Sequence, residues 1–162
     1  MAIIRILIDG YSLLHAWPDL ARGKPRFSAK ARDELIHVLT QYHDCIPTPI
    51  TLFFDGSGAP DGTPKPVSSR SLEIIFSPAG RTADDLIERV AHLYRPYGEV
   101  LVVTDDQAER STVTSLGGVV SRCEFFITEV LNTLQNQHND LQGFNRREAE
   151  HFRRPRNDPP TN

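Results

Sequence analysis

Short apolar runs alternate with stretches of helical periodicity along this chain. Residues 3–8 form an apolar run without clean alternation, the pattern of a strand covered on both faces. Ile50-Thr51-Leu52-Phe53-Phe54 and Leu72-Glu73-Ile74-Ile75-Phe76 predict a second and a third strand, residues 99–104 a fourth, and Val119-Val120 a brief fifth. Gly10 permits a sharp turn after the first strand. Leu13 to Leu20 stay ambiguous, because Pro18 argues against a long helix there. Ser28 as N-cap and the spacing of Ala31, Leu35, Val38 and Leu39 predict a helix over 29–43, stopped by Pro47 and Pro49. Thr82 caps a helix running to about Tyr94, with Leu86, Ile87, Val90 and Leu93 on one face. Further helices are expected over 107–116 and from Arg122 to Leu134, the latter with Phe126, Val130 and Leu134 in register.

Strands that alternate with helices predict an α/β domain built on a mostly parallel central sheet of about five strands. The apolar pattern ends near residue 134, so the expected division is a domain over 1–134 and a polar, basic, weakly ordered tail over 135–162 that leaves room for a short helix near 145–152. The net charge of −3 excludes a globally basic nucleic-acid binder, so any such role needs local basic patches. Cys45 and Cys123 are the only cysteines and form no C-x-x-C pair, which gives no support to a zinc ribbon or a redox motif. The longest apolar run is far below the roughly 18 residues of a membrane span, and a cytoplasmic location is expected.

Acidic residues stand where the apolar runs end. Asp9 follows the first strand, Asp55 the second, and Asp105 and Asp106 the fourth, while Asp84 and Asp85 open the helix after Thr82. Parallel strands put their carboxyl ends on one edge of the sheet, where open α/β sheets bind ligands. Carboxylates gathered there repel one another, and a cation neutralises them. An isolated Asp after a strand is commonly only a cap or turn residue, and Asp84 or Asp85 would stabilise a helix start without any ligand. Oxygen-only ligands favour Mg²⁺ or Mn²⁺ over zinc, and the associated chemistry is attack on a phosphate ester. The chain has no P-loop, no Gly-x-Gly-x-x-Gly after its first strand and no Gly-x-Ser-x-Gly elbow. An aspartyl-phosphate phosphatase would carry a second Asp where Tyr11 stands.

Together, Ile8-Asp9-Gly10-Tyr11-Ser12-Leu13-Leu14, Ala16-Trp17-Pro18, Phe54-Asp55, Thr82-Ala83-Asp84 and Thr104-Asp105-Asp106 resemble the YacP-like branch of the NYN domains, which are PIN-like nucleases. The resemblance spans about residues 3–134. It implies a PIN-like, Rossmann-like three-layer fold and a metal-dependent endoribonuclease, with a carboxylate-held Mg²⁺ or Mn²⁺ that activates water against an RNA phosphodiester. By motif position, Asp9, Asp84 and Asp106 look like the catalytic ligands, with Asp55, Asp105 and Asp85 behind them. One position departs from the pattern: the family's Asn is Ser12 here, which keeps a hydroxyl but lacks the amide. A contrasting expectation is an RNA- or ribosome-binding module without catalysis, of which Ser12 would be the first sign.

Substrate contact is expected from Tyr11 and Ser12 beside the first Asp and from basic residues near the acidic edge. These are Arg22, Lys24 and Arg26 after the first motif, Lys65 and Arg70 after Asp55, and Arg81 before the Thr82 cap. Trp17 reads as a core or loop-anchoring residue before it reads as a base-stacking one.

Overall fold

Every strand of the sheet runs parallel to its neighbours, and the amphipathic helices that connect them explain why. In this computed structural model, residues 2–20, 22–23, 28–56, 68–69 and 72–153 are described, and all structural statements concern these. The strands are β1 (Ile3–Asp9), β2 (Ile50–Phe54), β3 (Leu72–Phe76), β4 (Glu99–Val103) and β5 (Val119–Ser121). The helices are α1 (Gly10–Ala16), α2 (Ala29–Asp44), α3 (Ala83–Tyr94), α4 (Gln107–Ser115) and α5 (Cys123–Arg153), with a 3₁₀ turn at Arg95–Tyr97. The sheet order is β3-β2-β1-β4-β5, so β1 is central. The chain winds to one side of β1 through β2 and β3 and to the other through β4 and β5, and the carboxyl ends of β1 and β4 flank the switch point.

Alternation along each strand divides the core into two layers. Ile6 and Ile8 of β1, with Ile50, Leu52 and Phe54 of β2, face α1, α2 and the first half of α5. Leu7, Phe53, Val100 and Val102 face α3 and α4. Both faces are therefore covered, and all five residues of β2 are buried. Each fully buried Leu, Ile or Phe contributes about 1.5–3 kcal/mol relative to exposure. No helix among the described residues is long and apolar enough to cross a membrane.

Three expectations change. The ambiguous stretch after β1 contains a helix that starts directly at Gly10, with Asp9 as its N-cap, and ends before Pro18 with Trp17 buried in the core. Gly10 serves close approach here, not a loop: a Cβ at that position would lie 2.7 Å from Cδ1 of Phe54 and 2.9 Å from the Phe53 carbonyl oxygen. Along α3 the fully buried positions are Ala83, Ile87 and Ala91, while Leu93 is exposed, because the small residues let the helix lie close on the sheet. Finally, α5 does not stop at Leu134 but continues to Arg153, with residues 135–153 in helix. The 31-residue helix spans about 46 Å at about 1.5 Å per residue. Its outer half contains no proline, and side chains one turn apart support it. Gln135 donates to Asn139 at 3.2 Å, and the Gln142 amide lies 2.9 Å from the His138 ring nitrogen.

Replacing Gly10 with Ala should push the added methyl into Phe54 and the Phe53 carbonyl. The expected loss is about 1–3 kcal/mol, or roughly 2–12 °C in Tm. Thermal unfolding followed by circular dichroism tests this, and an unchanged Tm would show that the β1–α1 junction has slack.

Candidate metal centre

Three carboxylates meet at the carboxyl edge of the sheet. Asp9 ends β1, Asp84 lies in the first turn of α3, and Glu109 lies in the first turn of α4. One oxygen from each lies within 4.8 Å of the others. Glu109 is 2% exposed, and among the described residues neither of its carboxylate oxygens has a hydrogen-bond partner. Unpartnered buried carboxylate oxygens beside two further acids form a poor site for the protein alone and a good one for a hard cation. The all-oxygen donor set suits Mg²⁺ or Mn²⁺.

The electrostatics agree with this geometry. Burial raises the Asp9 carboxyl to about 7, opposed by the Ser12 amide that donates to it and reinforced by Asp84 and then Asp106. Burial likewise raises Glu109 to about 9, reinforced by Asp84, opposed by the nearby Thr104 hydroxyl and raised further by Asp9. Asp9 and Glu109 are too buried to carry full charge together, so protons occupy them wherever a cation does not.

Glu109 is the residue that sequence reasoning missed. Asp106-x-x-Glu109 has the spacing of a capping box, in which the Glu would reach back to the N-cap amide. Only half of that box forms. Asp106 accepts from the Glu109 amide at 3.0 Å, but its own amide donates to Thr104 Oγ1 at 3.2 Å, which leaves the Glu109 carboxylate for the cluster. The available signal was its place four residues before Val113, on the buried face of α4.

The six acids chosen from sequence separate by partner. Asp9, Asp55, Asp84 and Asp106 line one open cleft of about 410 Å³ with Tyr11, Ser12, Thr82 and Ala83. Asp106 lies beside the cluster but outside the close group of three. Asp55 accepts from the buried Ser77 hydroxyl at 3.2 Å. Asp85 completes the capping box with Thr82 and faces the groove between α3 and α4. Asp105 accepts from the Cys123 amide at 2.9 Å and so caps α5.

Ser12 is a junction. Its amide donates to Asp9 at 3.3 Å, and its hydroxyl accepts from the Asp105 amide at 3.0 Å and from the Cys123 thiol at 3.6 Å. The hydroxyl thus ties α1 to the end of β4 and to the start of α5, while the amide ties it to the end of β1. Cys123 is buried, which pushes its thiol up to about 12. Tyr11 is half-buried on the cleft wall, its ring 5.1 Å from that of Phe54. Arg22 makes an exposed ion pair with Asp19 at 3.1 Å. Arg81 lines the α3–α4 groove rather than the cleft. Lys24, Arg26, Lys65 and Arg70 lie outside the described residues.

Comparison with known proteins agrees with this architecture. The family model of the YacP-like NYN domain matches residues 6–158. The curated relative "Uncharacterized protein YacP" of Bacillus subtilis (strain 168) is 28% identical over 126 residues, or 77% of this chain and 74% of that protein. The crystal structure of Rae1 (YacP) from Bacillus subtilis superposes with a TM-score of 0.77 at 25% identity, over 93% of this chain and 86% of that one. The structure of a single-substitution mutant of Rae1 gives a TM-score of 0.75 at 23% identity, over 88% and 84% of the two chains.

The raised acids make stability depend on pH when divalent cations are chelated. The folded protein holds protons on Asp9 and Glu109 that the unfolded chain releases near pH 4. Their contribution is therefore fully present below that pH and is lost as pH rises through about 7 and then about 9. Denaturant unfolding at pH 5, 7 and 9 in chelator should show a steeper decline for the wild type than for Glu109→Gln. Mg²⁺ or Mn²⁺ should restore stability most at pH 9, where the ligands are deprotonated. Equal pH slopes in the two proteins would remove Glu109 from this account.

Proposed function

This chain belongs to the YacP-like NYN domain family, whose character is nuclease-like and RNA-related, and on that premise we propose that it is a metal-dependent endoribonuclease. The observation that carries the proposal is the cluster of Asp9, Asp84 and Glu109, in an open cleft at the switch point of the sheet. These three residues would hold Mg²⁺ or Mn²⁺, with Asp106 and Asp55 close by on the same cleft. Such an ion supplies Lewis-acid charge to an RNA phosphodiester and lowers the pKa of a coordinated water.

The rest of the work falls to the chain. The Ser12 amide orients Asp9, and the Asp106 cap fixes the first turn of α4 and with it Glu109. The α3 capping box does the same for Asp84. Each ligand is thereby placed by the backbone of a regular element, which keeps the group in register with little entropy left to lose. Ser12 holds the first Asp through its backbone amide, while its hydroxyl accepts from the Asp105 amide, so the departure from Asn leaves Asp9 with a hydrogen-bond donor.

Asp9→Asn and Glu109→Gln should each reduce cleavage by more than about 100-fold, the upper range for loss of mere outer-shell partners. Asp85→Asn should keep cleavage within a few-fold while lowering stability by about 0.3–1 kcal/mol, as loss of a negative charge at a helix N-terminus does. The assay is cleavage of end-labelled mixed RNAs with Mg²⁺ or Mn²⁺, with folding checked by circular dichroism. Full activity in Asp9→Asn would sink the proposal.

A further inference from the structure

Arg32 is a cation on the wrong face of its helix. It lies in the first turn of α2 among Ala31, Leu35 and Leu39, and it is 7% exposed. Among the described residues it has no carboxylate partner. Its Nε is buried without a hydrogen bond. Its Nη1 donates to the Tyr11 hydroxyl at 3.2 Å, and its guanidinium lies 5.5 Å from the centroid of the Phe76 ring. A buried charge without a counter-ion is unfavourable, and a buried Met or Leu would serve packing better. Something other than stability accounts for a guanidinium there.

The surroundings indicate what that is. Tyr11 packs on Phe54 at 5.1 Å, and Phe54 stacks on Phe76 at 5.3 Å. Arg32 bridges the two ends of this row, from the Tyr11 hydroxyl to the Phe76 face. The row connects the ends of β2 and β3 to the start of α1, and Tyr11 is its one member on the wall of the acidic cleft. Arg32 is not among the described residues that line the cleft, and its contact with that wall is through Tyr11.

We infer that Arg32 is a positioning residue that clamps Tyr11 in one orientation, so that the Tyr11 ring forms a fixed platform for the RNA nucleotide beside the acidic cluster. This rests on reading the cleft as an RNA site. The clamp limits the entropy that Tyr11 loses when a base stacks on it, which strengthens ground-state and transition-state binding alike. Its signature is therefore a change in KM rather than kcat.

The test uses the full chain and a mixed-sequence single-stranded RNA. Arg32→Met should raise KM about 5- to 20-fold, a part of what one stacked base is worth, with kcat within about twofold. Tm should stay level or rise. Arg32→Lys, which keeps a charged donor, should recover part of the loss. In a Tyr11→Phe background, Arg32→Met should change KM by less than about twofold, because the hydroxyl it acts through is already gone. The same ratios should appear in the Kd for RNA measured by fluorescence anisotropy in an Asp9→Asn background. That arm reads the clamp even if the wild type cleaves nothing, which would overturn the nuclease reading alone. An unchanged KM and Kd in Arg32→Met overturns the inference. So does a loss that merely follows a lowered Tm, or one that persists in full without the Tyr11 hydroxyl.

Discussion

Repulsion among three carboxylates held within 4.8 Å of one another is the constraint around which this molecule is arranged. At an effective dielectric constant of about 20, each ionised pair at that separation would cost roughly 3–4 kcal/mol, on top of the desolvation of Glu109. A domain of this size has only about 5–15 kcal/mol of net stability. The cluster is sustainable because protons or a cation can occupy it, and because a rigid support prevents the acids from separating. That support is the parallel sheet. β1 and β4 are adjacent, so Asp9 and the start of α4 are brought to one point by strand register rather than by a mobile loop.

The same edge carries a second population of acids with a different physical task. Helices α1, α4 and α5 start at this edge, and each leaves unpaired amides that an Asp can satisfy. Asp105 meets the first amide of α5, and Asp106 that of Glu109 in α4. Asp85 does the same for α3 within its capping box. Asp9 belongs to both populations, as it caps α1 with one oxygen and contributes to the cluster. Helix capping alone draws acids to the carboxyl end of a parallel sheet, so their density there does not by itself count ligands. Ser12 joins the two systems through one amide and one hydroxyl.

Much of this was legible in the chain. The apolar runs announced the strands, and all five formed within a residue or so of the expected bounds. Asp9 and Asp84 could be chosen because each follows a pattern with a fixed direction, one a strand end and the other a capped helix start. The extent of α5 was not legible, since its outer half buries little and offers no apolar period to follow. Leu93 misled because helical spacing tells which residues share a face but not how closely the face lies on the sheet. Arg32 stood in plain view on the apolar face of α2, yet a charge in that position has meaning only once Tyr11 and Phe76 are seen on either side of it.

By itself the sequence determined the α/β class, the parallel sheet and the edge at which chemistry gathers, because periodicity and strand direction are local properties that a chain carries in its own order. Tertiary structure alone decided which acids at that edge meet. Asp106 and Glu109 are three residues apart on one helix start, and the sequence favoured the first. Thr104 accepts from the Asp106 amide, which releases the Glu109 carboxylate from the capping box and leaves it buried against Asp9 and Asp84, while Asp106 caps α4 with one oxygen and still lines the cleft. That outcome depends on hydrogen bonds competed for in three dimensions, and no spacing along the chain records who wins them.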